Sequence, residues 1–153
     1  MSAQPNLGMQ PTTFDNPMGI DGFEFVEFAA PAGQAQHLHD YFRRMGFTQV
    51  ARHKTRAIST YRQGDCTFLI NEDPDSFAAR FAQQHGPSAC VFAIRVKKLA
   101  DWARTQALKN GAEAFDARDE LSKAVAAPVI KGIGDCMLYI VDRYDDKGTI
   151  HDP

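Results

Sequence analysis

The chain has 153 residues, a length that suits one domain, and a domain of this size buries roughly 68–70% of its unfolded surface, enough for a core without staples. Its composition, 44% hydrophobic and 24% charged, is that of an ordinary globular protein. A net charge of −2, with Arg43-Arg44 and Lys97-Lys98 the densest basic pairs, removes the electrostatic case for nucleic acid.

Three cysteines, Cys66, Cys90 and Cys136, are an odd number without CxxC spacing, which points away from a disulfide framework and toward a reducing cytoplasm. The longest apolar runs, such as Cys136 to Val141, fall far short of the ~20 residues of a membrane span. No cationic segment leads into an apolar one at the N-terminus, so no signal peptide is expected. These features predict a soluble, cytoplasmic chain with neither nucleic acid nor membrane as a partner.

In chain order, residues 1–19 are polar, carry Pro5, Pro11 and Pro17, and read as a flexible leader. Phe23, Phe25, Val26 and Phe28 form an aromatic, β-branched run suited to a strand. A helix is expected over about Gln34–Met45, with Ala35, Leu38, Phe42 and Met45 as its apolar stripe. Gly46 follows, where a helix end wants a residue free to take positive φ. Thr48–Arg52, Ala57–Arg62 and Cys66–Asn71 read as three strands, the last two joined by a turn at Gly64-Asp65. Pro74–Gln84 reads as an extra helix capped by Asp75 or Ser76, with Phe77 and Phe81 one turn apart.

A second pass follows. Ala89–Val96 is a strand rich in Val, Ile and Phe, and a helix over about Leu99–Asn110 turns Leu99, Trp102, Ala103 and Ala107 inward until Gly111 stops it. Pro128–Lys131 and Cys136–Asp142 are strands joined at Gly134-Asp135. Gly64-Asp65-Cys66 and Gly134-Asp135-Cys136 recur 70 positions apart, and Gly46 and Gly111 end equivalent helices 65 apart. The difference places a longer loop in the second copy, near Arg118–Ala127. The predicted fold is α+β: one domain over 20–153, made of paired β-α-β-β-β modules over 22–72 and 88–144 with a linking helix over 74–85. One helix covers one face of each module, so the other face stays open until a second module packs against it. An uncovered face would also favour association of copies.

Paired modules of this order resemble the vicinal oxygen chelate superfamily, which includes glyoxalases and extradiol dioxygenases. Three stretches carry a narrower resemblance: Asn16-Pro17-Met18-Gly19-Ile20-Asp21-Gly22-Phe23-Glu24-Phe25-Val26-Glu27-Phe28; Pro74-Asp75-Ser76-Phe77-Ala78-Ala79-Arg80-Phe81 with His85-Gly86-Pro87-Ser88-Ala89-Cys90; and Ile130-Lys131-Gly132-Ile133-Gly134-Asp135 with Leu138-Tyr139-Ile140-Val141-Asp142-Arg143-Tyr144. They are similar to the amino-terminal domain of bacterial 4-hydroxyphenylpyruvate dioxygenases. The resemblance implies an enzyme that uses O2 and Fe(II) to turn 4-hydroxyphenylpyruvate into homogentisate and CO2 in tyrosine catabolism. It implies that two histidines and a glutamate hold the iron in a carboxy-terminal catalytic domain, the expected partner of this chain.

The same resemblance places the superfamily's three ligand slots here at Phe25 (Phe23 in an alternative ungapped match), Val91 and Tyr139. A facial triad needs two imidazoles and a carboxylate, so no catalytic, cofactor-binding or metal residue is expected in this chain. The histidines do not substitute. His37 and His39 lie about 200° apart around a helix, His53 is near a strand end, His85 precedes Gly86-Pro87, and His151 is in the tail. Each reads as exposed or locally hydrogen-bonded. Glu24 and Glu27, three apart on a strand, point to opposite faces; an inward carboxylate needs a partner, with Arg62 or Arg95 as candidates. Gly132-Ile133-Gly134 lacks the strand-to-helix setting of a nucleotide loop and reads as a turn. The alternative function is a stand-alone module that binds a small ligand without catalysis.

Overall fold

The computed structural model describes residues 15–115 and 127–145. His151 and most of the longer loop expected near Arg118–Ala127 lie outside them, as does most of the expected leader. The part of that leader within the described residues is ordered: Gly19 donates to the Asn16 carbonyl at 3.0 Å, and Ile20 N donates to Asn16 Oδ1 at 2.7 Å.

The strands are β1 (Ile20–Ala29), β2 (Thr48–Arg52), β3 (Ile58–Gln63), β4 (Cys66–Asn71), β5 (Ser88–Val96), β6 (Val129–Lys131) and β7 (Met137–Val141). The helices are α1 (Gln36–Arg44), α2 (Phe77–His85) and α3 (Ala100–Lys109). Among the described residues the strands form one seven-stranded sheet in the order β2-β3-β4-β1-β5-β7-β6. β1 runs parallel to β4 and β5 parallel to β7, while β1 and β5 meet antiparallel. The α+β fold of two similar halves is as expected, but the halves do not stack. They join edge to edge through β1 and β5, because pairing these two strands satisfies the backbone groups that each half would otherwise leave open at an edge. An isolated antiparallel bridge, Ala114 to Ile130, stands beyond β6 where β2 stands beyond β3.

Side-chain alternation divides the sheet into two faces. On one, α1 covers Tyr61 and Ile70 with Phe42 and Phe47, and Phe28 and Phe68 complete the aromatic cluster. On the same face α3 covers Val96 and Ile140 with Ala100 and Ala103. On the other, α2 lays Ala78, Phe81 and Ala82 over Phe25, Ala29, Val91, Ala93 and Tyr139. The linking helix thus supplies cover that a stacked second module was expected to provide. Ser76 caps α2, its Oγ accepting from Ala79 N at 3.1 Å, which satisfies one of the donors a helix start leaves open.

Three expectations for the helices need correction. Met45 is the residue after α1 and is exposed, because the chain turns away at Gly46 (φ +92°) before the stripe can continue. In α3 the buried residues are Ala100 and Ala103, whereas Leu99 and Trp102 face solvent. Small residues let that helix sit close on the sheet, and the larger side chains are left outside.

The two Gly-Asp-Cys turns also differ. Gly64-Asp65 makes a two-residue hairpin, with Gln63 paired to Cys66. In the second half Lys131 pairs with Met137 around a wider turn, in which Gly134 and Asp135 both take φ +63°. Gly132 is required there: a Cβ on it would strike Cys136 Sγ.

Candidate functional site

The three slots assigned to the superfamily's ligands fall on β1, β5 and β7, on the face under α2. The structure brings Phe25, Val91 and Tyr139 into one buried cluster. Phe25 stands opposite Ala93, and Ala93 opposite Tyr139, so a single row crosses three strands. The Phe25 and Tyr139 rings lie 6.4 Å apart, tilted by 49°. Val91 is one step along, opposite Glu27. Phe23 in the alternative match is exposed and does not join them. A phenyl, an isopropyl and a phenol share the place where a triad would require two imidazoles and a carboxylate. These residues do not fit a ferrous ion. Among the described residues no three His, Cys, Asp or Glu side chains gather closely enough to hold a metal.

Polar groups border this hydrocarbon, and each is tied to another group. Glu27 is buried and its Oε1 accepts from Asn71 Nδ2 at 2.7 Å. Asn71 Oδ1 in turn accepts from Asp73 N at 2.9 Å. Glu24 is buried and pairs with Arg95, Nε to Oε2 at 2.6 Å. Of the two arginines expected as partners, Arg95 takes the role. Its guanidinium lies 5.2 Å from the Tyr144 ring centre, and the Tyr144 hydroxyl donates to Asp21 Oδ2 at 3.2 Å. Burial together with the hydrogen bond to Glu24 sets the balance at Arg95: burial opposes its charge, while the carboxylate outweighs it and raises its pKa. Glu24 thus reaches Arg95 on β5, and Glu27 reaches Asn71 on β4.

Sequence reasoning missed one network. His39 Nδ1 lies 2.7 Å from Tyr61 Oη and its Nε2 lies 3.3 Å from Glu72 Oε2. Tyr61 Oη also donates to Gln49 Oε1 at 3.3 Å, so the phenol joins the imidazole on α1 to an amide on β2. Glu72 Oε1 also accepts from Ala35 N at 3.3 Å, just before α1. The partners are 22 and 33 residues from His39 in the chain, so the expectation of a merely local histidine fails. Tyr61 is fully buried, and desolvation raises the pKa of its phenol. The arrangement holds α1 against β2, β3 and the end of β4, with no open position for a substrate at Tyr61.

The other described histidines, His37, His53 and His85, are exposed, as expected. His53 Nδ1 accepts from Thr55 N and Arg56 N, each at 3.2 Å. His85, the last residue of α2, lies 4.4 Å from the Phe81 ring centre. Cys66 is exposed, while Cys90 and Cys136 are buried. Burial drives the Cys90 thiol pKa far up, with the nearby Glu27 charge adding to it. Such a thiol is inert as a nucleophile.

A cleft of about 350 Å³ opens where β1 and β4 separate, before their pairing begins at Val26 and Phe68. Phe23, Phe25, Thr67 and Phe68 line it, with Glu24 and Arg95 at its polar side.

Comparison with known proteins adds the lineage of this arrangement. Residues 14–153 match the family model described as "Hydroxyphenylpyruvate dioxygenase, HPPD, N-terminal". Hemolysin VllY of Vibrio vulnificus (strain CMCP6) is 43% identical over 139 residues, covering 90% of this chain and 38% of that protein. A 4-hydroxyphenylpyruvate dioxygenase of Pseudomonas sp. (strain P.J. 874) is 40% identical over 139 residues, covering 91% of this chain and 38% of that one. Among solved structures, a xylose isomerase-like TIM barrel/4-hydroxyphenylpyruvate dioxygenase fusion protein superposes with a TM-score of 0.73 at 28% identity, covering 90% of this chain and 22% of its own. The chain therefore spans a little over a third of the length of the curated relatives it matches.

Proposed function

The chain belongs to the family of hydroxyphenylpyruvate dioxygenase amino-terminal domains, and on that premise we propose that it is the non-catalytic part of such an enzyme, supporting an iron-bearing carboxy-terminal domain. In this reading the whole enzyme turns 4-hydroxyphenylpyruvate and O2 into homogentisate and CO2, in cytoplasmic tyrosine breakdown, on a ferrous ion held by the other domain. The division into a leader over 1–19, modules over 22–72 and 88–144 and a linking helix over 74–85 is part of the same proposal.

One observation carries it: Phe25, Val91 and Tyr139 stand together, buried, at the positions from which the superfamily's ligands would come. A phenyl, an isopropyl and a single phenol under a helix do not make a facial triad, which supports reading this face as packing rather than chemistry. The test is oxygen uptake by purified residues 1–153 with ferrous ion, ascorbate and 4-hydroxyphenylpyruvate. The expected rate equals that of the same mixture without protein; uptake that scales with protein concentration defeats the proposal.

A second reading, a module that binds a small ligand without catalysis, draws on the cleft between β1 and β4. Its volume of about 350 Å³ lies at the low end of the range for small-ligand pockets.

A further inference from the structure

We propose that Ile20, Phe23, Leu99 and Trp102 form the surface on which the carboxy-terminal domain of the longer relatives docks, an inference that rests on the supporting role above. These four large apolar side chains are 45%, 59%, 74% and 42% exposed. Scattered singly, such residues are normal on a protein surface; gathered in one place, they mark a contact.

The backbone gathers them. Ile20 stands opposite Val96 across β1 and β5, and Lys97 N donates to the Gly19 carbonyl at 2.9 Å. That bond holds the start of β1 beside the turn that leads to Leu99. Phe23 stands opposite Ile94 on β5, and its ring lies 6.5 Å from that of Phe92. Leu99 and Trp102 are three apart at the start of α3, neighbours on the helix surface.

The occupant follows from where the chain leaves the sheet. β7 ends at Val141, at this same end. Asp142 Oδ2 accepts from Ala100 N at 2.8 Å, and Tyr144 bonds Asp21 at 3.2 Å. Residues 142–144 thus lie at the end of the sheet that carries the patch. In the relatives, the matched region is an amino-terminal one covering 38% of the protein, so the rest of their sequence follows this point. A domain tethered here meets the patch at a high effective concentration. The phenyl groups of α2 are committed inward: Phe81 is buried, and Phe77 meets Phe115 edge-on at 5.4 Å.

The test compares residues 1–153 with a chimera in which this chain replaces the matched region of the Pseudomonas sp. dioxygenase. Hydroxyl-radical labelling, read residue by residue, reports side-chain accessibility in each. Leu99, Trp102 and Phe23 are expected to label several-fold more slowly in the chimera, while Ile133, at the far end of β7 and 96% exposed, labels equally in both. Protection that falls on other residues of the chain and spares the patch overturns the proposal and leaves the supporting role standing. A chimera in which no residue of this chain is protected removes the supporting role as well. Protection already present in the isolated chain, and lost on dilution, assigns the surface to a second copy and overturns the proposal.

Discussion

Cys90 and Tyr61 are both fully buried, and in both cases desolvation raises the pKa above its ordinary value. The consequence for stability has a definite sign. The folded chain keeps these protons, whereas the unfolded chain releases them above pH ~9 for a thiol and ~10 for a phenol. Stability is therefore complete below pH ~9 and falls as pH rises, by about 1.4 kcal/mol per pH unit for each withheld proton. Melting temperatures measured from pH ~7 to ~11 are expected to hold level and then drop, with a shallower drop in Cys90→Ala. A curve for Cys90→Ala that matches the wild type throughout would falsify the assignment to that thiol. The cysteine's burial was foreseeable from its place in an apolar run, but the His39–Tyr61–Glu72 network was not. Its members come from a helix, a strand and a strand end, and only the packing of α1 on the sheet brings them within 3.3 Å.

At the scale of elements, periodicity located each described α-helix and strand within a few residues, yet it assigned helix faces unevenly. In α1, Phe42 makes aromatic contacts with Phe28, Phe47, Tyr61 and Phe68 at 5.1–5.9 Å. Phe42→Ala is expected to cost ~3–5 kcal/mol, the range for removing a packed ring. Met45→Ala, outside the stripe, is expected to stay within about 0.5 kcal/mol. Urea melts of the two variants decide between this inner face and the longer stripe that the spacing alone suggested. In α3 the same spacing misled. A helix with alanines on one side and Leu99 and Trp102 on another has two plausible inner faces, and the choice falls to whichever fits the gap over β7. Close approach selected Ala100 and Ala103.

For the whole molecule, the pairing of β1 with β5 is the decisive feature. It merges two similar halves into one sheet, so neither half has an edge of its own at the centre. Loss of either half would expose the backbone of the other and uncover half of the cluster beneath α2. The described halves are accordingly expected to unfold together. Fluorescence of Trp102 in the second half and of a dye on exposed Cys66 in the first should share one urea midpoint, as two-state unfolding requires. Separate midpoints would mean that the shared sheet does not couple the halves.

The order of residues by itself determined the two similar halves, the linking helix, the turn positions and the family, because all of these are written in local spacing and in motifs along the chain. It also placed Phe25, Val91 and Tyr139 where ligands were to be sought. Tertiary structure alone decided that the halves join by an edge, that α2 covers the would-be metal face, that Arg95 and not Arg62 answers Glu24, and that Leu99 and Trp102 remain outside. Each of these is a choice among partners distant in the chain, and such choices are settled by which surfaces fit and which buried charges find a counterpart, not by the properties of any one segment.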